Sequence, residues 1–110
     1  MSQPKVLFLD DETDLLELFR DSCEDLAEVR VFADSEKAIE SAIKVPPDIA
    51  FLDYRLPGMS ATEVAGRFPR GVVLHLLTGE LDLALPEGFA SVLVKPVHVA
   101  RLRELIQGKE

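Results

Sequence analysis

Asp10 and Asp11, Asp53, Thr78 and Lys95 lie far apart in the chain, yet each stands at or just past the end of a short apolar run. Val6-Leu7-Phe8-Leu9 leads into Asp10-Asp11, Ile49-Ala50-Phe51-Leu52 into Asp53, Val72 to Leu77 into Thr78, and Ser91 to Val94 into Lys95. Runs of this length and composition read as strands. In an open parallel α/β sheet, ligands bind beyond the carboxyl ends of the strands, near the switch point in strand order. The spacing therefore predicts one cleft holding three carboxylates, a hydroxyl and an ammonium. Such a set suits Mg²⁺-assisted transfer of a phosphoryl group to a carboxylate. Mg²⁺ takes oxygen ligands in octahedral geometry and keeps several waters. Three unpaired carboxylates repel one another, which raises at least one pKa, and a divalent cation relieves that. A phosphoryl group in transfer carries charge on three equatorial oxygens, so positioning and electrostatics do most of the catalysis. Asp53 is the expected in-line nucleophile, with Lys95 and Thr78 each taking an oxygen, by charge and by hydrogen bond.

Each residue also has a plainer reading. Acids at Asp10-Asp11 can face the dipole of a following helix, and an aspartate after a strand is an ordinary turn residue. Thr78 can simply end a strand, and Lys95 can be solvated. What chance does not readily supply is four such sites at four different strand ends.

Alternating strands and helices position these groups, a pattern that predicts a doubly wound sheet. The strands are expected at about Lys5–Leu9, Glu28–Phe32, Ile49–Leu52, Val72–Leu77 and Ser91–Val94. A first helix, about Asp14–Leu26, turns Leu15, Leu16, Phe19, Cys23 and Leu26 inward. A second begins at an N-cap, Asp34 or Ser35, carries Ala38, Ile39, Ala42 and Ile43, and stops at Pro46-Pro47. A third spans about Ala61–Phe68, and the last about Val97–Gln107, ending at Gly108. Between the fourth and fifth strands, Leu81, Leu83 and Leu85 alternate with other residues before Pro86 and Gly88, so any helix there is short, distorted or absent. The third and fourth strands are nearly free of polar residues, as central parallel strands are. His75 within the fourth reads as a core or edge histidine, since it has no companion His or Cys for a ligand role.

Composition narrows the function classes. The 110 residues suit one domain with a real core, and the expectation is a single domain over residues 1–110. A net charge of −8 disfavours nucleic acid and anionic membrane as partners of this domain. One cysteine, Cys23, excludes an internal disulfide and fits a reducing compartment; its place on a helix face makes it core filler. No apolar run approaches membrane-spanning length, and the N-terminal apolar stretch is too short for a signal peptide. A cytoplasmic location is expected.

These motifs resemble the receiver domain of two-component response regulators, over essentially the whole chain. Leu9-Asp10-Asp11-Glu12 looks like the acidic pair of that family. Asp53-Tyr54-Arg55-Leu56-Pro57-Gly58-Met59 is similar to its phosphoacceptor loop. Thr78-Gly79 looks like its switch threonine and the small residue after it, and Lys95-Pro96 like its lysine and proline. The resemblance implies a flavodoxin-like five-stranded parallel sheet in the order 2-1-3-4-5. It implies Asp53 as phosphoacceptor and Mg²⁺ held by Asp11 directly, Asp10 through water, Asp53 and the backbone carbonyl of Arg55. It also implies a cis Lys95–Pro96 peptide and a phosphoryl donor that is a histidine kinase or a histidine phosphotransfer protein. Such a domain is a signalling switch rather than an enzyme, catalysing only its own phosphorylation and dephosphorylation.

The chain departs from the family pattern in several places. Val92 stands where the family usually has an aromatic that moves inward when the threonine engages the phosphoryl group. Ala61 stands where a glycine is usual. The intervals from Asp53 to Thr78 and from Thr78 to Lys95 are both short, so helices three and four look shortened or irregular. Signalling is then expected through ordering of the loops after Asp53 and Thr78 rather than through an aromatic relay. Arg55 and Glu80, each two residues past a pocket residue, either pair over the phosphoryl site and shield it from water or stand solvated. Two rivals stay open: a degenerate receiver used as a phosphorylation-independent interaction module, and a Mg²⁺-dependent phosphohydrolase. The second lacks an aspartate two residues after Asp53 to serve as acid or base, because Arg55 is there.

Overall fold

The computed structural model describes residues 3–108. Five strands, β1 (Lys5–Leu9), β2 (Glu28–Phe32), β3 (Ile49–Asp53), β4 (Val73–Thr78) and β5 (Ser91–Val94), alternate with α1 (Thr13–Cys23), α2 (Ser35–Lys44), α3 (Ala61–Arg67) and α4 (Val99–Gln107). They form one parallel sheet in the order β2-β1-β3-β4-β5. The strand order reverses between β1 and β3. Asp10 and Asp53 follow or end those two strands, which places them at the switch point.

β1 is central, and Val6, Leu7, Phe8 and Leu9 are all fully buried. Alternation along the strands sends Leu7, Leu9, Ala50, Leu52, Leu74 and Leu76 to one face, beneath α2 and α3. Val6, Phe8, Phe51, Leu77 and Leu93 go to the other face, beneath α1 and α4. Phe8 stacks between Phe19 and Phe51 with ring centroids 4.8 Å apart in both pairs, and Phe51 stacks on His75. His75 is buried, with Nδ1 2.6 Å from Ser91 Oγ, so it serves the core as expected. Cys23 is likewise buried in the α1 face, and burial pushes its thiol up to about 11.

Capping sets the helix starts. The Asp34 side chain accepts the Lys37 backbone N–H at α2, and Ser60 accepts that of Glu63 at α3. Gly108, at φ 74°, closes α4 in the left-handed conformation. Several boundaries differ from expectation, most by a single residue, such as the ends of β3 at Asp53 and of α3 at Arg67. α1 ends at Cys23, because Leu26 and Ala27 both donate back to the Cys23 carbonyl in the turn that enters β2. α4 starts at Val99 behind the N-cap His98. β4 runs from Val73 through Thr78, one residue later than its apolar run suggested.

α3 is short, with seven residues. The segment between β4 and β5 takes the last of the three forms expected of it, with no helix among the described residues. Residues 79–90 form an irregular loop whose Leu83 and Phe89 pack on the α2–α3 face of the core, while Leu81 and Leu85 are exposed. Pro86 and the positive-φ Gly88 break any regular continuation.

Candidate functional site

Four strand ends converge. Asp53 is the last residue of β3, Thr78 the last of β4, and Asp10 and Lys95 directly follow β1 and β5. The Tyr54 N–H donates to the Leu77 carbonyl and the Lys95 N–H to the Thr78 carbonyl, at 2.7 Å each, so the backbone locks the neighbouring strand ends in register. Above them opens a cleft of about 490 Å³ lined by Asp11, Asp53, Arg55, Thr78, Glu80 and Lys95 together with Glu12, Tyr54 and Gly79.

Lys95 organises the acids. Its Nζ lies 2.8 Å from Asp10 Oδ2, 3.4 Å from Asp53 Oδ1 and 3.6 Å from Glu12 Oε1. Burial works against the ammonium, but the pairing with Asp10 and the charges of Asp53 and Glu12 outweigh it and hold its pKa above the ordinary lysine value. Asp53 moves the other way from a usual paired acid. Burial, then the like charge of Asp10, lifts its carboxyl to about 6, although Lys95 and the Arg55 backbone pull against that rise.

Asp10 is fully buried, and its Oδ1 accepts the Glu12 backbone N–H at 2.9 Å. Its Oδ2 has no aligned hydrogen bond and only the Lys95 charge beside it. Neither Asp10 nor Asp11 is the N-cap of α1, which is Glu12 with no side-chain cap bond; both acids precede that helix end, where they also face its dipole. Asp10, Asp11 and Glu12 bring carboxylate oxygens within 4.8 Å of one another. This all-oxygen donor set fits a hard divalent cation. Glu12 joins the cluster although it is not among the expected site residues; its signal in the sequence is three consecutive acids after a strand.

Thr78 is buried, and its Oγ1 accepts the Glu80 N–H at 3.0 Å, which leaves the hydroxyl proton available to the cleft. Arg55 Nη2 donates to Glu80 Oε1 across the cleft mouth, and the guanidinium lies 5.8 Å over the Tyr54 ring. The two side chains are therefore paired, with Arg55 largely exposed. The Lys95–Pro96 peptide is cis. Val92 lies away from the cleft, paired in register with Leu76 and packed on the α2–α3 face. Phe89, buried on the same face, precedes the amino end of β5, whereas Lys95 follows its carboxyl end.

Comparison with known proteins places this arrangement. The chain is 33% identical over 115 residues to the response regulator protein PilR of Pseudomonas aeruginosa, covering 96% of this chain and 26% of that protein. It is 28% identical over 112 residues to the signal transduction histidine-protein kinase BarA of Escherichia coli, covering 92% of this chain and 12% of that protein. The chain thus spans well under two thirds of the length of the curated relatives it matches. No family model matches it. Among solved structures, a response regulator receiver domain from Clostridium thermocellum superposes with a TM-score of 0.84 at 26% identity, over 96% of this chain and 92% of that one. A CheY-like receiver domain protein from Methanospirillum hungatei does so at 0.84 and 26%, over 97% and 93%. With this fold, the acidic cluster and the strand-end aspartate in hand, the chain belongs to the receiver domains of two-component response regulators.

Proposed function

We propose that this receiver accepts a phosphoryl group on Asp53 in a two-component phosphorelay. The observation that carries the reading is the buried Asp53 carboxylate, flanked by Lys95 Nζ at 3.4 Å and sharing one cleft with Thr78. An Asp53 oxygen forms the new bond to phosphorus as the donor's N–P bond breaks, and the electron pair stays with the leaving imidazole nitrogen. Lys95 supplies positive charge to one phosphoryl oxygen and Thr78 a hydrogen bond to another. Both sit on rigid strand ends, so little reorganisation is needed during transfer. Asp11, Asp53 and the Arg55 carbonyl would hold Mg²⁺, with Asp10 acting through water. When bound, the ion neutralises the acidic cluster and polarises the phosphoryl oxygens.

The donor is a histidine kinase or a histidine phosphotransfer protein, the location cytoplasmic, and the output a switched protein–protein contact rather than turnover of a substrate. With no aromatic at Val92 and no helix between β4 and β5, the change is carried by the loops after Asp53 and Thr78. Intact mass after incubation with acetyl phosphate and Mg²⁺, beside Asp53→Asn, tests the reading. One added phosphoryl group in the parent alone is expected. No addition, from acetyl phosphate or from a phosphohistidine donor, would leave the phosphorylation-independent interaction module, the reading that the absent helix favours.

A further inference from the structure

The edge of the sheet farthest from β5 carries a second feature. β2 has β1 as its one neighbour among the described residues. The Glu28 N–H donates to the Pro4 carbonyl and the Asp10 N–H to the Phe32 carbonyl, so Glu28, Arg30 and Phe32 turn their backbone groups toward β1. Alternation then turns the N–H and C=O groups of Val29 and Val31 outward, to the open edge.

A cleft of about 630 Å³ lies beside this edge, between β2 and the overhanging face of α2. Four cations line it, Lys5, Arg30, Lys37 and Lys44, against two acids, Glu28 and Glu40. This local excess of positive charge occurs in a chain of net charge −8. Arg30 is committed to the wall, donating to the Ser41 and Val45 carbonyls at the end of α2. Lys5 lies 3.9 Å from Glu28. The ammonium groups of Lys37 and Lys44 have no ion pair among the described residues. Edge lysines commonly keep like edges apart, and here they disfavour a second copy, whose own cations would approach them. The same charges attract an acidic chain.

We propose that β2 takes an extended acidic segment of a partner protein as a sixth strand. The sheet dictates its pattern. The Arg30 side chain reaches α2, whereas those of Val29 and Val31 pack on the α1 face. An added strand therefore sets one alternate series of side chains beside Lys37 and Lys44 and the other beside Val29 and Val31. Acids in the first series and β-branched apolar residues in the second satisfy both. The cleft lies toward the amino ends of the strands, away from Asp53, so docking leaves the phosphoacceptor open.

The test is a titration of ¹⁵N-labelled protein with a capped Glu-Val-Glu-Val-Glu-Val peptide, followed by amide shifts. The expected result is saturable shifts confined to β2 and α2, with affinity at least tenfold weaker in the folded Lys37→Glu/Lys44→Glu variant. The same peptide N-methylated on alternate residues, in the two possible phases, should lose binding in one phase and keep it in the other. No binding, shifts elsewhere, or equal affinity for both N-methylated forms would overturn strand addition. So would a Lys-Val peptide binding as well, or self-association through β2 in sedimentation at high protein concentration.

Discussion

At the scale of single residues, the cleft is a set of charges held against their own preference. Asp53 takes a proton more readily in the fold than in the unfolded chain, with its carboxyl lifted from 3.8 to about 6 by burial and then by Asp10. The folded state therefore binds more protons between those values, and its stability falls as pH rises through that window. Asp53→Asn removes the unfavourable charge, so in metal-free buffer at pH 7 it should stabilise the domain by about 1–3 kcal/mol. Denaturant midpoints should show that gain shrinking as pH falls below about 6 and vanishing below about pH 3, where the carboxyl is neutral in both folded and unfolded chains; a gain constant with pH would refute the cause. The Arg55–Glu80 pair invites a different measurement. Both side chains are partly or largely exposed, which limits their pairing to about 1 kcal/mol or less. If the pair screens the cleft mouth, replacing both residues with alanine should speed loss of phosphate by about two- to fivefold. A lifetime unchanged by the double substitution would show that water reaches Asp53 by another route.

At the scale of elements, the loop from Gly79 to Phe89 is where this receiver differs most from the pattern it resembles. It is tethered at two points, Leu83 and Phe89, and open between them, with Leu81 and Leu85 exposed. Its first residues hang on Thr78, whose Oγ1 accepts the Glu80 N–H. A phosphoryl group that draws the Thr78 hydroxyl must disturb that bond, so a beryllium fluoride mimic should shift the amides of 79–89 more than those of β5 or α4. An undisturbed loop would sink the idea that it carries the signal. Much of this architecture was legible beforehand because parallel strands buried on both faces read as continuous apolar runs, and polar residues at their carboxyl ends mark a cleft. The missing helix was visible in the period of two at Leu81, Leu83 and Leu85, with Pro86 and Gly88 behind it. Other features were not legible for physical reasons. Leu26 continues the apolar face of α1, yet the chain leaves the helix at Cys23 because it must turn into β2. That Lys95 reaches Asp10, Asp53 and Glu12 together depends on how β1, β3 and β5 line up across the sheet, which no local pattern encodes.

At the scale of the whole molecule, a net charge of −8 and the acidic cluster around the buried Asp10 make separable claims on Mg²⁺. The diffuse charge is relieved by any salt, because screening acts on exposed groups at about 10 Å in 0.1 M solution. A specific site is not, and it couples to global stability through linkage: free ion at ten times its dissociation constant adds about 1.4 kcal/mol. For a domain of this size that is roughly 5–10 °C in melting temperature. Mg²⁺ should therefore raise the melting temperature well above what NaCl of equal ionic strength achieves, and a chelator should reverse the difference. Asp11→Asn should abolish the specific part while leaving the general salt effect intact, because Asp11 lines the cleft and is exposed, whereas Asp10 also holds Lys95 and the Glu12 backbone. Equal stabilisation by both salts would mean that the ion responds to the overall charge of the protein, and that Lys95 is the cation that balances Asp10 and Glu12.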